Sequence, residues 1–191
     1  FNRNSPTNSL VEKIDQNQKV SIRSTASEVL QELDSLKPIE KDWTLRKLGA
    51  VLSYQWGIET RRLVDEIDLH SIFSKSTGKI RHVTSDGEIL FTMVPTTGLF
   101  TPTYRGGKEL LKIRISDDYI VTMQDDVAEF VAEGKSALAK FVRHASSKLR
   151  AGEEVLVVDE QHNLLGTGRA LLNGLEMSTF SRGVAVAIRH S

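Results

Sequence analysis

No cysteine occurs anywhere in the 191 residues. That excludes disulfides and zinc sites built on thiolates, and it is compatible with the reducing cytoplasm, the compartment expected for this chain. Long hydrophobic runs are missing too. The longest, Val184–Ile188, has five residues, against the roughly 20 that span a bilayer, so no membrane partner is expected. No signal peptide is visible. Phe1–Asn8 is rich in Asn and Ser and reads as a loose arm or the remains of a longer chain, which leaves an upstream targeting segment open. An excess of either charge is also absent, since 25 Lys and Arg balance 25 Asp and Glu. Up to Leu111 there are 15 basic and 14 acidic residues, and beyond it 10 and 11. Bulk attraction to nucleic acid is therefore excluded, and any RNA must be held by a local patch and by shape. DNA is not an expected partner.

Catalytic signatures are equally scarce. The five histidines (His70, His82, His144, His162 and His190) fall into neither an HExxH nor an HxH pattern. No phosphate loop of Walker or Rossmann spacing and no G-x-S-x-G elbow is present. Glu153-Glu154 and Asp159-Glu160 are paired acids of the kind that strand ends and turns carry in solvent. No catalytic residue, metal or cofactor is assigned on this basis.

What is present is a change of periodicity along the chain. Thr25-x-x-Glu28 has capping-box spacing ahead of Val29, Leu30, Leu33 and Leu36, and Lys37-Pro38 ends that helix. A second helix is predicted from Asp42, with Leu45, Leu48, Val51, Leu52 and Gln55 on one side, then Ile58–Ile67 after Gly57. From Ser71 the pattern becomes that of strands: Ile72-Phe73, Ile80–Thr84, Ile89–Val94 and, more weakly, Leu99–Tyr104. Asp86-Gly87 supplies a hairpin turn, and Gly107–Leu111 reads as a short helix. Beyond Asp117-Asp118, Tyr119–Met123 is a strand and Asp126–Glu133 a short helix closed by Gly134. Ala137–Val142, Glu154–Asp159, Leu164–Leu171 and Val184–Arg189 complete a set of five strands, for which a small barrel is the natural architecture. The expectation is an α+β chain: an arm over 1–20, N-terminal helices with a small antiparallel sheet over 21–111, and a C-terminal β-barrel over 112–191.

Three features bear on function. Lys135, Lys140, Arg143 and His144 cluster just beyond Gly134, whose backbone lets another chain approach closely. Cationic side chains beside accessible amides suit phosphate; a helix cap followed by a solvated strand face suits the same residues equally. In the last strand, Val184, Val186 and Ile188 share the face expected in the core, and Ala185 and Ala187 the face left for a neighbour. Trp43 and Trp56 lie in the helical region and are expected to anchor a core or a domain interface.

Three phrases at these spacings carry a resemblance: VAEFVAEGKSALAKFV, LRAGEEVLVVDEQHNLLGTGRALLNGLEM and FSRGVAVAIRH. Val127–His190 resembles the PUA domain at the C-terminus of archaeal tRNA-guanine transglycosylase and of archaeosine synthase. LSYQWG, SKSTGKIRHV, DGEILFTMVPTTGLFTP and GGKELL resemble the accessory domain that precedes PUA in those transglycosylases. The family's chemistry resides in a zinc-bearing (β/α)8 barrel of about 250 residues, and this chain has neither that length nor a cysteine ligand. The resemblance therefore implies a freestanding half of such an enzyme, or a fragment of one: a noncatalytic tRNA-binding subunit of archaeosine modification, working with a separate transglycosylase catalytic chain. It implies that PUA grips the acceptor stem and CCA end while the accessory domain helps present the D-loop. Carried over by position, the RNA-binding residues are Gly134, Lys135 and Ser136 at the helix-to-strand contact, with Lys140 and Arg143 on the strand that follows. A protein-interaction module of another RNA-modification or ribosome-related complex is the alternative, and a diverged archaeosine-synthase-like enzyme the third reading.

Overall fold

Leu48, Leu52 and Trp56 recur at helical spacing and are all buried, which is what ties residues 43–56 into an amphipathic helix, α1. The computed structural model describes residues 43–191. The helix expected from Thr25 and the arm over 1–20 lie outside the described residues. Residues 44–191 form one compact unit. Trp43, expected as an anchor, is 57% exposed, whereas Trp56 is fully buried.

After Gly57 a 3-10 turn leads into α2 (Arg61–Glu66), which buries Leu63. Four strands then form an antiparallel meander: β1 (His70–Phe73), β2 (Ile80–Ser85), β3 (Glu88–Met93) and β4 (Phe100–Pro102). The short helix that follows, α3 (Tyr104–Lys112), is capped by Thr103, whose hydroxyl accepts from the Gly106 N–H at 3.1 Å. The sheet and helices bury Val83, Leu90, Phe91, Phe100 and Leu110 around Trp56.

The rest of the chain curls into a barrel. Its strands are β5 (Ile120–Met123), β6 (Ala137–Leu138), β7 (Val142–Ala145), β8 (Glu154–Val158), β9 (Leu164–Ala170) and β10 (Val184–His190). Their order is β6-β10-β9-β8-β5-β7, with β5 and β8 parallel and the other pairs antiparallel. The two edge strands, β6 and β7, are joined by a single 3-10 turn over Ala139–Phe141. A connection that short forces the edges together, so the sheet is nearly closed. The expected single strand Ala137–Val142 is thus two edge strands and a turn. Two short helices lie against the barrel, α4 (Ala128–Ala132) and α5 (Gly174–Thr179).

β8 explains how the sheet and barrel join. Leu156 and Val158 point into the core around Trp56, while Val155 and Val157 point into the barrel's own core with Met123, Val131, Ala137 and Val186. A strand buried on both faces reads as a continuous apolar run, here Val155–Val158. The Trp56 indole N–H adds a direct tie, donating to the Glu154 carbonyl at 3.0 Å. In β10 the expected division of faces is blurred. Ala185 and Val186 are both fully buried, while Val184, Ala187 and Ile188 are half-buried. Both buried residues join the barrel's own core although they alternate along the strand, so side-chain size does not sort the faces.

Candidate nucleic-acid interface

The candidate face starts where α4 ends. The Gly134 N–H donates to the Val131 carbonyl at 2.9 Å and the Lys135 N–H to the Phe130 carbonyl at 3.1 Å. These nested bonds are a Schellman cap, and the left-handed turn it needs is supplied by Gly134 at φ 86°. The two amides that the sequence offered as phosphate donors are therefore committed to closing the helix. What the turn contributes instead is placement: it brings Lys135 and Ser136 to the rim of a groove.

That groove has a volume of about 240 Å³, and its walls are Met123, Val127, Phe130, Val131, Leu138 and Phe141. Phe130 keeps 53% of its surface exposed, presenting a flat apolar face beside the cation. Lys135 Nζ sits 4.8 Å from the Phe130 ring centroid and 2.9 Å from Glu133 Oε2. Its side chain remains 60% exposed, so the ion pair is screened and weak.

The other two expected cations lie farther along. Lys140, in the 3-10 turn, holds Nζ 4.3 Å from the Phe141 ring centroid. Arg143 is exposed on β7, with Nε 3.6 Å from Glu160 Oε1. Lys135 and Ser136 therefore share one groove mouth, Gly134 forms the turn before them, Lys140 flanks the groove through Phe141, and Arg143 belongs to the edge strand beyond. Each of the two charged pairs sets an acid against a base, which keeps the local field modest, as the balanced composition foretold. The aromatic walls, Phe130 and Phe141, were missed in the sequence. Their signal was an aromatic residue five positions before Lys135 and another directly after Lys140, indistinguishable in one dimension from core packing.

Among the described residues, no group of three or more His, Asp or Glu is arranged to hold a metal ion. No described helix is long and apolar enough to cross a membrane.

Comparison with known families matches residues 119–191 to the PUA domain and residues 46–116 to the patch-forming domain C2 of tRNA-guanine transglycosylase. The chain carries both domains, C2 first and PUA after it. Among curated relatives, the tRNA-guanine(15) transglycosylase of Methanocaldococcus jannaschii is 37% identical over 146 residues, which is 75% of this chain and 22% of that protein. That of Methanococcus vannielii is 34% identical over 194 aligned residues, 99% of this chain and 29% of the relative. The chain thus spans less than a third of the length of these relatives, and it aligns with their C-terminal region. Among solved structures, a hypothetical protein from Pyrococcus horikoshii OT3 superposes with a TM-score of 0.58 at 22% identity, covering 76% of this chain and 88% of that one. A conserved PUA domain protein from Thermoplasma acidophilum gives 0.58 at 19% identity, with 78% and 89% covered. At that identity the likeness establishes the fold.

Proposed function

We propose that this chain is a noncatalytic tRNA-binding component of archaeosine modification, holding the acceptor stem and CCA end for a separate transglycosylase catalytic chain. The observation that carries this reading is the C2–PUA pair shared with tRNA-guanine(15) transglycosylases, together with a groove whose mouth combines Lys135, Ser136 and the exposed ring of Phe130. A cation and a flat ring are what the phosphates and splayed bases of an RNA end require. The chemistry is assigned in this reading to the catalytic partner. In this reading the accessory domain ends at residue 111 and 112–191 is the RNA-binding domain; the expected arm over 1–20 lies outside the described residues. The chain operates in the cytoplasm with its tRNA partner.

Gly134 shapes the turn, Lys135 and Ser136 meet the RNA, and Lys140 and Arg143 extend the contact along the barrel edge. The test is filter binding of the chain to total tRNA, intact and with CCA removed, across a salt series. Tight binding that weakens on removal of CCA supports acceptor-end recognition. Absence of binding at low salt overturns it.

The protein-interaction reading has one specific feature in its favour. Leu171, Leu175 and Phe180 are exposed on and beside α5. Trp56 is buried in the core and takes no part in such a surface. Capture of a protein partner with no tRNA affinity would select this reading.

A further inference from the structure

A second cavity, of about 370 Å³, opens where α1, the β3–β4 connection and the ends of β8, β9 and β10 meet. Its size falls within the roughly 300–1,000 Å³ typical of small-molecule sites. None of its lining residues belongs to the Lys135 groove.

Its chemistry is mixed. Tyr54, 81% exposed, stands at its wall with the ring uncovered. Glu154 and Arg169 face one another across β8 and β9. Arg189 on β10 places Nη2 3.3 Å from Glu154 Oε1, and Arg169 Nε donates to the Gly152 carbonyl at 3.2 Å. The other carboxylate oxygen, Glu154 Oε2, is shielded from solvent and has no hydrogen-bond partner. Leaving a buried acceptor unpaired costs the fold its desolvation penalty. Because Glu154 lines the cavity, a rotation of its side chain turns that oxygen to a donor entering there.

These groups narrow the ligand. A simple anion satisfies the guanidiniums but leaves Glu154 Oε2 without a donor. A simple cation meets two arginines. A nucleotide supplies all three complements: an anionic phosphate, a flat ring and N–H donors. Among bases, guanine presents two adjacent donors, N1–H and the N2 amino group. Adenine and cytosine set their amino group beside an acceptor, and uracil sets one N–H between two. A carboxylate accepts only, so guanine is the base it favours.

We propose that this cavity binds one unpaired guanine nucleotide, with its ring on Tyr54, its donor edge on Glu154 and its phosphate on Arg169. The nucleotide comes either from an RNA strand or from the free pool, and the same contacts serve both. The site shares with the proposed function only the premise that the protein meets RNA.

The test is titration of the full chain with GMP and AMP, followed by 15N NMR. GMP is expected to saturate with shifts confined to the cavity, and AMP to bind about tenfold more weakly, the discrimination of one bidentate base contact. Tyr54→Ala, at an exposed position, weakens GMP by about tenfold through lost stacking, and Glu154→Gln reduces the preference over AMP. The oligoribonucleotides UUGUU and UUAUU separate the sources. Tighter binding of UUGUU than of GMP identifies an RNA strand, and equal binding identifies the free nucleotide. No saturation by ~10 mM GMP, well above a millimolar dissociation constant, equal affinity for AMP, or GMP binding unaffected by Tyr54→Ala each overturns the proposal. The Lys135 face is judged by tRNA salt dependence and this cavity by mononucleotide selectivity, so either fails without the other.

Discussion

Thr167 donates its hydroxyl to the Pro102 carbonyl at 2.9 Å, joining the barrel to the end of the meander sheet in a fully buried contact. Gly107 on α3 packs against the same threonine. A Cβ there would lie 2.6 Å from Thr167 Cγ2 and 3.0 Å from Leu164 Cδ2. Sheet, helix and barrel therefore converge on one threonine, and the spacing of the two domains is fixed by the absence of a side chain at residue 107.

Substituting either residue tests this junction. Thr167→Val keeps the shape but strands the buried Pro102 carbonyl, at a cost of about 1–3 kcal/mol. Gly107→Ala overpacks the contact and costs about 1–3 kcal/mol. Because the residues touch, the double variant is expected to depart from additivity. Urea denaturation of the two single variants and the pair measures all three quantities, and single-variant losses under ~0.5 kcal/mol would remove the junction as a stabilising element.

Much of this architecture was legible because local chemistry and tertiary packing agree. Asp86 and Gly87 adopt φ of 51° and 79°, the two positive values that a type I′ hairpin requires, so the β2–β3 turn could be read directly. The Schellman glycine at 134 was equally plain. The break between β6 and β7 was not. Ala137–Val142 is continuous in apolar character, and its turn exists because closing the barrel requires one. Helix α5 was missed although Asn173 and Glu176 form a full capping box; Gly174 there reads as punctuation in one dimension. The groove was half legible. Its basic residues stood out, but the direction of Phe130 depends on where α4 docks, and the engagement of the Gly134 and Lys135 amides depends on how the helix closes.

Gly134→Ala isolates the conformational requirement of that turn. An added Cβ meets only Ser191 Oγ, at 3.4 Å, so the penalty is that of the left-handed backbone, about 1–2 kcal/mol. Gly134→Asn is expected to lose less, since asparagine tolerates this conformation. Thermal melts of the two variants should rank Asn above Ala, and the reverse ranking would mean that contact rather than backbone sets the cost.

Two carboxylates should give opposite pH signatures. The Ser146 hydroxyl donates to Asp118 Oδ1 at 2.6 Å and Lys148 lies 3.2 Å from Oδ2, and together they hold Asp118 below its ordinary value of 3.8. Its stabilisation is present above pH 3.8 and is lost as pH falls through the depressed folded value. Burial pushes Glu154 above its ordinary 4.5 despite Arg189 and Arg169. Its contribution is fully present below 4.5 and is lost as pH rises through the raised folded value. Asp118→Asn is therefore expected to cost stability at pH 7 and progressively less towards pH 3. Glu154→Gln is expected to gain on the parent as pH rises from 4.5 to 7. Denaturant midpoints across this range decide the matter, and parallel curves for variant and parent would contradict either assignment.

The Lys135–Glu133 pair makes a prediction that a simple basic-patch view does not. In the folded chain Glu133 Oε2 already occupies the ammonium at 2.9 Å, so an RNA phosphate must compete with it. Exposed pairs of this kind contribute about 0–1 kcal/mol. Glu133→Gln is accordingly expected to tighten tRNA binding by up to about fivefold, while Lys135→Ala weakens it and reduces the salt slope by about one. In Glu133→Gln the slope stays that of the parent or steepens, because the lysine is now free to displace a counterion. Filter binding across a salt series reads affinity and slope together. Weaker tRNA binding in Glu133→Gln would show that the carboxylate positions Lys135 rather than competing for it, and an unchanged slope in Lys135→Ala would place the phosphate contact elsewhere on the barrel.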